Sequence, residues 1–402
     1  MPHALLPTTP FAATPTPPVA PPSGAPRPDV KPSPVKRSRR LLFRDLESPA
    51  DAVSHVTPNW FAAVMGTGIV ANAAVTLPVQ VPGLRAAALL VWGAAGVLLL
   101  TLLGAAVAHR VRFPAVARGH LLHPVTGHFY GAPAMALLTV GAGALLVGRD
   151  VLGARAALAA GGVLWVLGTV LGLVTAVLVP YLTFTRYDMA DDAPSGVWLM
   201  PVVPPMVSAA TGALLVPHLP AGQWRLTLLL ACAALFGMSL LASLVVITLV
   251  WGRLARHKAG PAATVPTLWI LLGPLGQSVT AANLLAGVAP TVLGARWARP
   301  LELAGVLYGV PVLGFALLWA AIALAVTVRT ARAGLPFGLT WWSFTFPVGT
   351  CVTGASALAL HTGAVALQVL AGVLYLALLG AWATVAARTF RGAVVRGTLL
   401  TP

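Results

Sequence analysis

The 402-residue chain is short of charge, and of acid most of all. Only 8% of its residues are charged, nine Asp and Glu stand against 25 Lys and Arg, and 58% are hydrophobic. Soluble domains carry roughly a quarter charged residues, so a water-soluble globular protein is excluded. There are two cysteines, Cys232 and Cys351, both in apolar stretches. They make neither a metal spacing nor a redox motif and read as small core hydrophobes. A membrane-embedded enzyme needs clustered His, Asp or Glu at membrane depth. The acidic residues do not supply such a cluster, so no enzymatic activity, metal or cofactor is expected.

What is present is a series of long apolar runs. A spanning helix needs about 20 mostly apolar residues, and ten runs qualify, near 59–77, 85–108, 125–148, 156–182, 196–217, 225–251, 267–290, 301–328, 340–361 and 364–387. The net charge of +16 would suggest nucleic acid in a soluble protein. Here the basic residues segregate by loop: 19 fall on one side of the ten-span arrangement and 6 on the other. The positive-inside rule accounts for that asymmetry. It excludes a nucleic-acid partner and predicts an inner (plasma) membrane protein with both termini cytoplasmic. Residues 1–50, with twelve prolines before residue 36 followed by Lys36, Arg37, Arg39, Arg40 and Arg44, read as a disordered basic tail. The expected division is that tail, a membrane domain over 51–390 and a short cytoplasmic tail over 391–402.

The odd-numbered runs share a design. Each opens on an aromatic residue and carries Gly or Pro three to five positions later: Trp60 and Phe61 before Gly66-Thr67-Gly68; Phe129 and Tyr130 before Pro133; Trp198 before Pro201 and Pro204. Trp269 precedes Gly273, Pro274 and Gly276, and Trp341 to Phe346 precede Pro347. The breakers at 66, 133, 201, 274 and 347 are 67, 68, 73 and 73 residues apart. This period predicts five quasi-repeated helical hairpins. Breaks in five equivalent helices predict a shared wettable axis, because backbone groups freed in a bilayer need protein or water partners. The even runs read as an outer, lipid-facing ring.

No Asp, Glu, Lys or Arg lies within the odd runs, which disfavours an ion-coupled pump and a cation filter of acidic rings. What remains is Thr67, Ser208, Thr211, Gln277, Ser278, Thr280, Asn283, Thr345, Thr350 and Thr353. Hydroxyl and amide donors with helix N-termini can solvate an anion. Each hydroxyl taken singly reads first as an interhelical packing group and only second as a pore contact. Phe346 lies immediately before Pro347, where a kink could turn its ring toward the axis; a phenylalanine in a membrane helix otherwise reads as a packing residue. His128, at the start of the third run, is the candidate titrating group; His120, His123 and His128 lack zinc spacing.

Five stretches carry a resemblance: Asn59-Trp-Phe-Ala-Ala-Val-Met-Gly-Thr-Gly-Ile69, His123-Pro-Val-Thr-Gly-His-Phe-Tyr130, Gly196-Val-Trp-Leu-Met-Pro-Val-Val-Pro-Pro-Met206, Leu268-Trp-Ile-Leu-Leu-Gly-Pro-Leu-Gly-Gln277 and Trp341-Trp-Ser-Phe-Thr-Phe-Pro-Val348. Together they resemble the tellurite-resistance/dicarboxylate transporter family, which includes the slow-type anion channels, malate permeases and sulfite efflux pumps. The resemblance implies an all-α membrane fold of five hairpins around a central pore, and a homotrimer with one pore per protomer. It also implies a phenylalanine gate that falls on Phe346, and transport of small anions: malate and other C4-dicarboxylates, sulfite, tellurite or inorganic anions. The alternative is a proton-coupled C4-dicarboxylate carrier using His128.

Overall fold

The computed structural model describes residues 51–400; the basic tail expected over 1–50 lies outside the described residues. Every regular element among the described residues is helical. Eight segments are long and apolar enough to cross a membrane: Leu84–Arg112, Thr126–Leu152, Ala154–Thr185, Gln223–His257, Ala262–Leu293, Ala295–Gly334, Leu339–Thr362 and Val365–Arg396. The protein is an all-α, multi-pass membrane protein.

In chain order the main α-helices are α1 (Phe61–Thr76), α2 (Leu84–Arg112), α3 (Gly131–Gly143), α4 (Ala154–Thr185) and α5 (Pro204–Leu215). They continue with α6 (Gln223–His257), α7 (Leu272–Val288), α8 (Ala298–Gly334), α9 (Phe346–Thr362) and α10 (Val365–Phe390). They fall into two populations. In the segments containing α3, α7 and α9 the most apolar window is 78–83% buried, whereas in α2, α4, α6, α8 and α10 it is 22–28% buried. α1 and α5 are buried along most of their length. Leu90, Leu100, Val177, Leu307 and Leu376 stand exposed on the outer helices, as lipid contact requires.

The buried helices form a closed ring. α1 packs on α3, α3 on α5, α5 on α7, α7 on α9, and α9 returns to α1; each also packs on the outer helix that follows it. Residues from the starts of all five, Ala62, Phe129, Leu199, Ile270 and Trp342, line one cavity, and residues from their ends, Thr76, Ala142, Leu214, Leu284 and Leu360, line another. The five inner helices therefore run parallel.

Outer helices are pinned to this ring by hydrogen bonds to its backbone and side chains. Trp92 Nε1 donates to the Val140 carbonyl at 3.0 Å, Trp165 Nε1 to Ser208 at 2.9 Å and Trp319 Nε1 to Leu268 at 2.8 Å. Trp382 Nε1 on α10 donates to Thr67 Oγ1 on α1 at 3.2 Å, which ties the end of the chain to its first helix. An indole N–H can only donate, so each bond fixes a rotation of the outer helix.

The structure corrects the expected helix breaks. Each inner helix is led by a 3₁₀ segment: Pro58–Trp60, Thr126–Tyr130, Gly196–Leu199, Ala262–Leu271 or Leu339–Phe344. Pro133, Pro204, Pro274 and Pro347 lie in the first α-helical turn after it, and Pro201 lies in the turn before α5. A first-turn N–H has no intrahelical acceptor, so proline costs no bond there and its fixed φ favours the helix start. These prolines start helices and do not kink them. Gly66 and Gly68 interrupt nothing, because α1 runs unbroken through them. Their role is close approach: a Cβ at Gly66 would overlap Thr345 Oγ1, and one at Gly68 would lie 2.8 Å from Thr139 Cγ2.

Two run ends also differ from expectation. The third run, which forms the second inner segment, extends past 148 to Leu152, so Arg149 and Asp150 fall in its last turn. Apolar periodicity fades there, while the Asp150 carboxylate is held at the exposed rim by Arg85, with Nε at 2.5 Å and Nη2 at 2.8 Å. The last helix continues to Arg396, where Gly397 takes a φ of +87° that favours glycine.

Candidate functional site

The ring encloses two cavities on one axis. The larger, about 390 Å³, lies among the C-terminal halves of the inner helices and reaches Leu77 and Leu360. The smaller, about 30 Å³, lies among the helix starts. That is room for about one or two waters. Phe346, 3% exposed, lines both, so its ring stands between a wide vestibule and a narrow passage.

The setting of Phe346 follows from its neighbours. It is the first residue of α9, with Pro347 next. Thr350 Oγ1 lies 2.7 Å from the Pro347 carbonyl and 3.3 Å from those of Leu272 and Gly273, clasping the start of α9 to the start of α7. Gly276 permits this contact, since a Cβ there would lie 2.5 Å from the Cys351 nitrogen. Thr345 is fully buried, donates to the Trp342 carbonyl at 2.6 Å and backs onto Gly66. Phe346 is therefore braced from behind by α1 and from the side by α7.

Of the residues singled out from the sequence, Phe129, Gly273, Pro274, Phe346 and Pro347 line the axial cavities. Gly66, Thr67, Gly68, Pro201, Pro204, Gly276 and Thr345 pack behind them, and Pro133 lines a separate cavity on the flank. His128 stands off the axis. Its Nδ1 lies 2.7 Å from the Pro124 carbonyl, its ring stacks on Trp198 at 5.8 Å, and it lines a lateral cavity with Asp188.

Neither axial lining contains a charged side chain. In the vestibule, Thr211, Gln277, Thr280 and Thr353 were legible as polar positions; Asn72, Thr139 and Ser356 were not singled out. Most are committed to protein partners. Thr280 and Thr353 share a 2.7 Å hydrogen bond, Thr139 donates to Met135 at 2.7 Å and Asn72 Nδ2 to Thr139 at 3.0 Å. Ser356 Oγ is buried without a partner, and neither Thr211 nor Gln277 donates to any described protein group. Three uncommitted donors thus come from α5, α7 and α9. The narrow passage is apolar, with Met65, Met135, Leu199 and Val203 in its wall, and the positive ends of five helix dipoles surround it.

Free donors at one end of a neutral axis and helix N-termini at the other can solvate an anion without a fixed countercharge. The comparisons with known proteins agree. Residues 55–390 match the voltage-dependent anion channel family, and the chain belongs to it. It is 28% identical over 344 residues to a sulfite efflux pump of Arthroderma otae, covering 84% of this chain and 91% of that protein. It is also 28% identical over 315 residues to an uncharacterised transporter of Methanocaldococcus jannaschii, covering 78% and 86%. A sulfite efflux pump of Trichophyton rubrum is 28% identical over 311 residues, covering 76% and 82%.

Proposed function

We propose that the chain conducts small anions along the axis between its five inner helices, with the Phe346 side chain as the gate. The observation that carries this reading is that one ring borders both axial cavities. The parallel run of the inner helices supports ten crossings as five hairpins, because successive parallel helices need a return crossing between them. On that count α1 and α5, with their leading 3₁₀ turns, also cross. The excess of basic residues then puts both termini in the cytoplasm and the vestibule on the opposite face of the plasma membrane. Assembly as a homotrimer with one pore in each protomer completes the proposal.

Sulfite is the first substrate to test, since two relatives carry that activity in their names. The uncharged linings favour a small anion of low charge over a C4-dicarboxylate such as malate, whose two carboxylates are commonly met by basic side chains. The proton-coupled alternative loses support because His128 lies off the axis. Purified protein in liposomes should pass sulfite, and nitrate or chloride more slowly, at rates independent of an imposed pH gradient. Malate and tellurite belong in the same panel. Flux that requires the proton gradient would replace the channel reading with the carrier reading.

A further inference from the structure

A second polar cavity lies on the flank of the bundle, apart from the axis. The end of α2, the short helix Pro114–Leu122 and the turns leading to α1 and α3 enclose about 140 Å³. At roughly 30 Å³ per water that is space for about four or five waters, or one tetrahedral oxyanion with a water. Thr57, His109, Arg110, His120 and Tyr130 form its polar wall.

His109 is 2% exposed. Its Nδ1 lies 2.9 Å from the Val53 carbonyl, which can only accept, so Nδ1 carries the proton. Its Nε2 is buried and has no partner. A buried polar atom without a partner is unfavourable, so a hydrogen-bonding ligand in this cavity is favoured. The His109 and His120 rings stack at 5.2 Å with planes 12° apart, and the Arg110 guanidinium lies 5.8 Å from the Tyr130 ring centre. No described carboxylate joins them; the ion pair among the described residues is Arg85 with Asp150, elsewhere in the fold. One guanidinium and two imidazoles therefore line one cavity with no carboxylate among its described lining residues.

We propose that this cavity binds a phosphate oxyanion, either the headgroup of an acidic phospholipid or free inorganic phosphate, held by Arg110, His109 and His120. Arginine matches phosphate in geometry and charge. His109 Nε2, with its lone pair free, accepts from a ligand hydroxyl, either a protonated oxygen of inorganic phosphate or a glycerol hydroxyl of the headgroup. The lining also includes Leu103, Val107 and Leu171, and Val107 is 61% exposed on the outer face of α2, so a lipid tail has an apolar path beside the site. Pro133 of α3 lines the cavity too, which sets the ligand directly behind an inner helix.

Burial holds the His120 pKa below the ordinary value, with His109, His55, His123 and Arg110 adding positive charge. The groups around the ring are His109 and Arg110 from α2, His55 from the segment before α1, and His123 and Tyr130 from the turns before α3. Arg112 and Arg118 are exposed on the two neighbouring helices. A bound anion raises the pKa of His120 towards the range of a free imidazole. By linkage, affinity for a phosphodiester rises as pH falls.

The test uses the full-length protein, with Arg110→Gln and His120→Gln beside wild type and Arg149→Gln as a surface control. In one arm, native mass spectrometry compares retention of phosphatidylglycerol with phosphatidylcholine. In the other, inorganic phosphate is titrated against the midpoint of thermal unfolding. Wild type should retain phosphatidylglycerol, or be stabilised by phosphate, at concentrations at least tenfold lower than Arg110→Gln requires. Retention of phosphatidylglycerol should increase between pH 7.5 and 5.5 in wild type and stay flat in His120→Gln. A positive lipid arm identifies a headgroup, and a positive phosphate arm alone identifies the free ion. Equal behaviour of wild type and both variants in the two arms would overturn the proposal.

Discussion

Replacing Phe346 with Ala is expected to raise anion flux at least tenfold. The ring borders the vestibule and the narrow passage alike, and removing it joins a space of about 390 Å³ to one of about 30 Å³. Tenfold corresponds to about 1.4 kcal/mol off the barrier to permeation, a small part of what dehydrating an anion against an apolar ring costs. The substitution also removes a side chain from a tight contact, and buried Phe→Ala changes commonly cost about 3–5 kcal/mol of stability. Thermal unfolding and assembly must therefore be measured on the same preparation. Phe346→Leu separates the two effects: it keeps most of the packing and should give intermediate flux. Unchanged flux in a correctly assembled Phe346→Ala protein would remove the gate from this residue.

The second large effect is expected at Gln277. Its amide lines the vestibule, makes no described protein hydrogen bond and offers donors to a passing anion. Gln277→Glu preserves shape and adds a negative charge. At 5 Å and an effective dielectric constant near 20, repulsion of a monovalent anion is about 3 kcal/mol, close to a hundredfold in rate. Water in the vestibule screens part of this, so suppression of at least tenfold is expected in liposome flux at neutral pH. Suppression should be relieved as pH falls, because protonation removes the added charge. Gln277→Leu, which deletes the donors without adding charge, should give a smaller loss. A Gln277→Glu protein that conducts anions as well as wild type would place the path elsewhere.

Much of the helix layout was legible because apolar run length is dictated by the bilayer itself. The ranges read near 85–108 and 225–251 grew to Leu84–Arg112 and Gln223–His257, since helix continues past the apolar stretch until a residue such as Arg112 or Lys258 meets the interface. Of the evenly spaced breakers, Pro133, Pro274 and Pro347 fall in the first turns of α3, α7 and α9, whereas Gly66 lies inside α1 and Pro201 in the turn before α5. What those residues do there was read less well. A proline inside a helix and a proline at a helix start look alike in sequence, and the distinction depends on the preceding 3₁₀ turn, which leaves no clear pattern. Phe346 was singled out beside Pro347 and through the family resemblance, and the structure has it lining both axial cavities. Asn72 and Ser356 were passed over because a single polar residue in an Ala-rich run does not reveal which side of a buried helix it faces. His128 lies only one residue from Phe129, yet its ring stacks on Trp198 while Phe129 faces the passage.

Side-specific thiol labelling tests the central claim most directly. With Cys232 and Cys351 replaced by Ala, one protein carries Thr353→Cys on the vestibule side of Phe346 and another carries Met65→Cys on the passage side. A membrane-impermeant thiol reagent is applied to one face of sealed liposomes at a time. With Phe346 in place, the cysteine at 353 should react only from the vestibule face and the one at 65 only from the opposite face. With Phe346→Ala, each should become reactive from both. Labelling of either position from both faces while Phe346 is intact would contradict the account, as would a Phe346→Ala protein in which flux rises and the barrier to the reagent stays where it was.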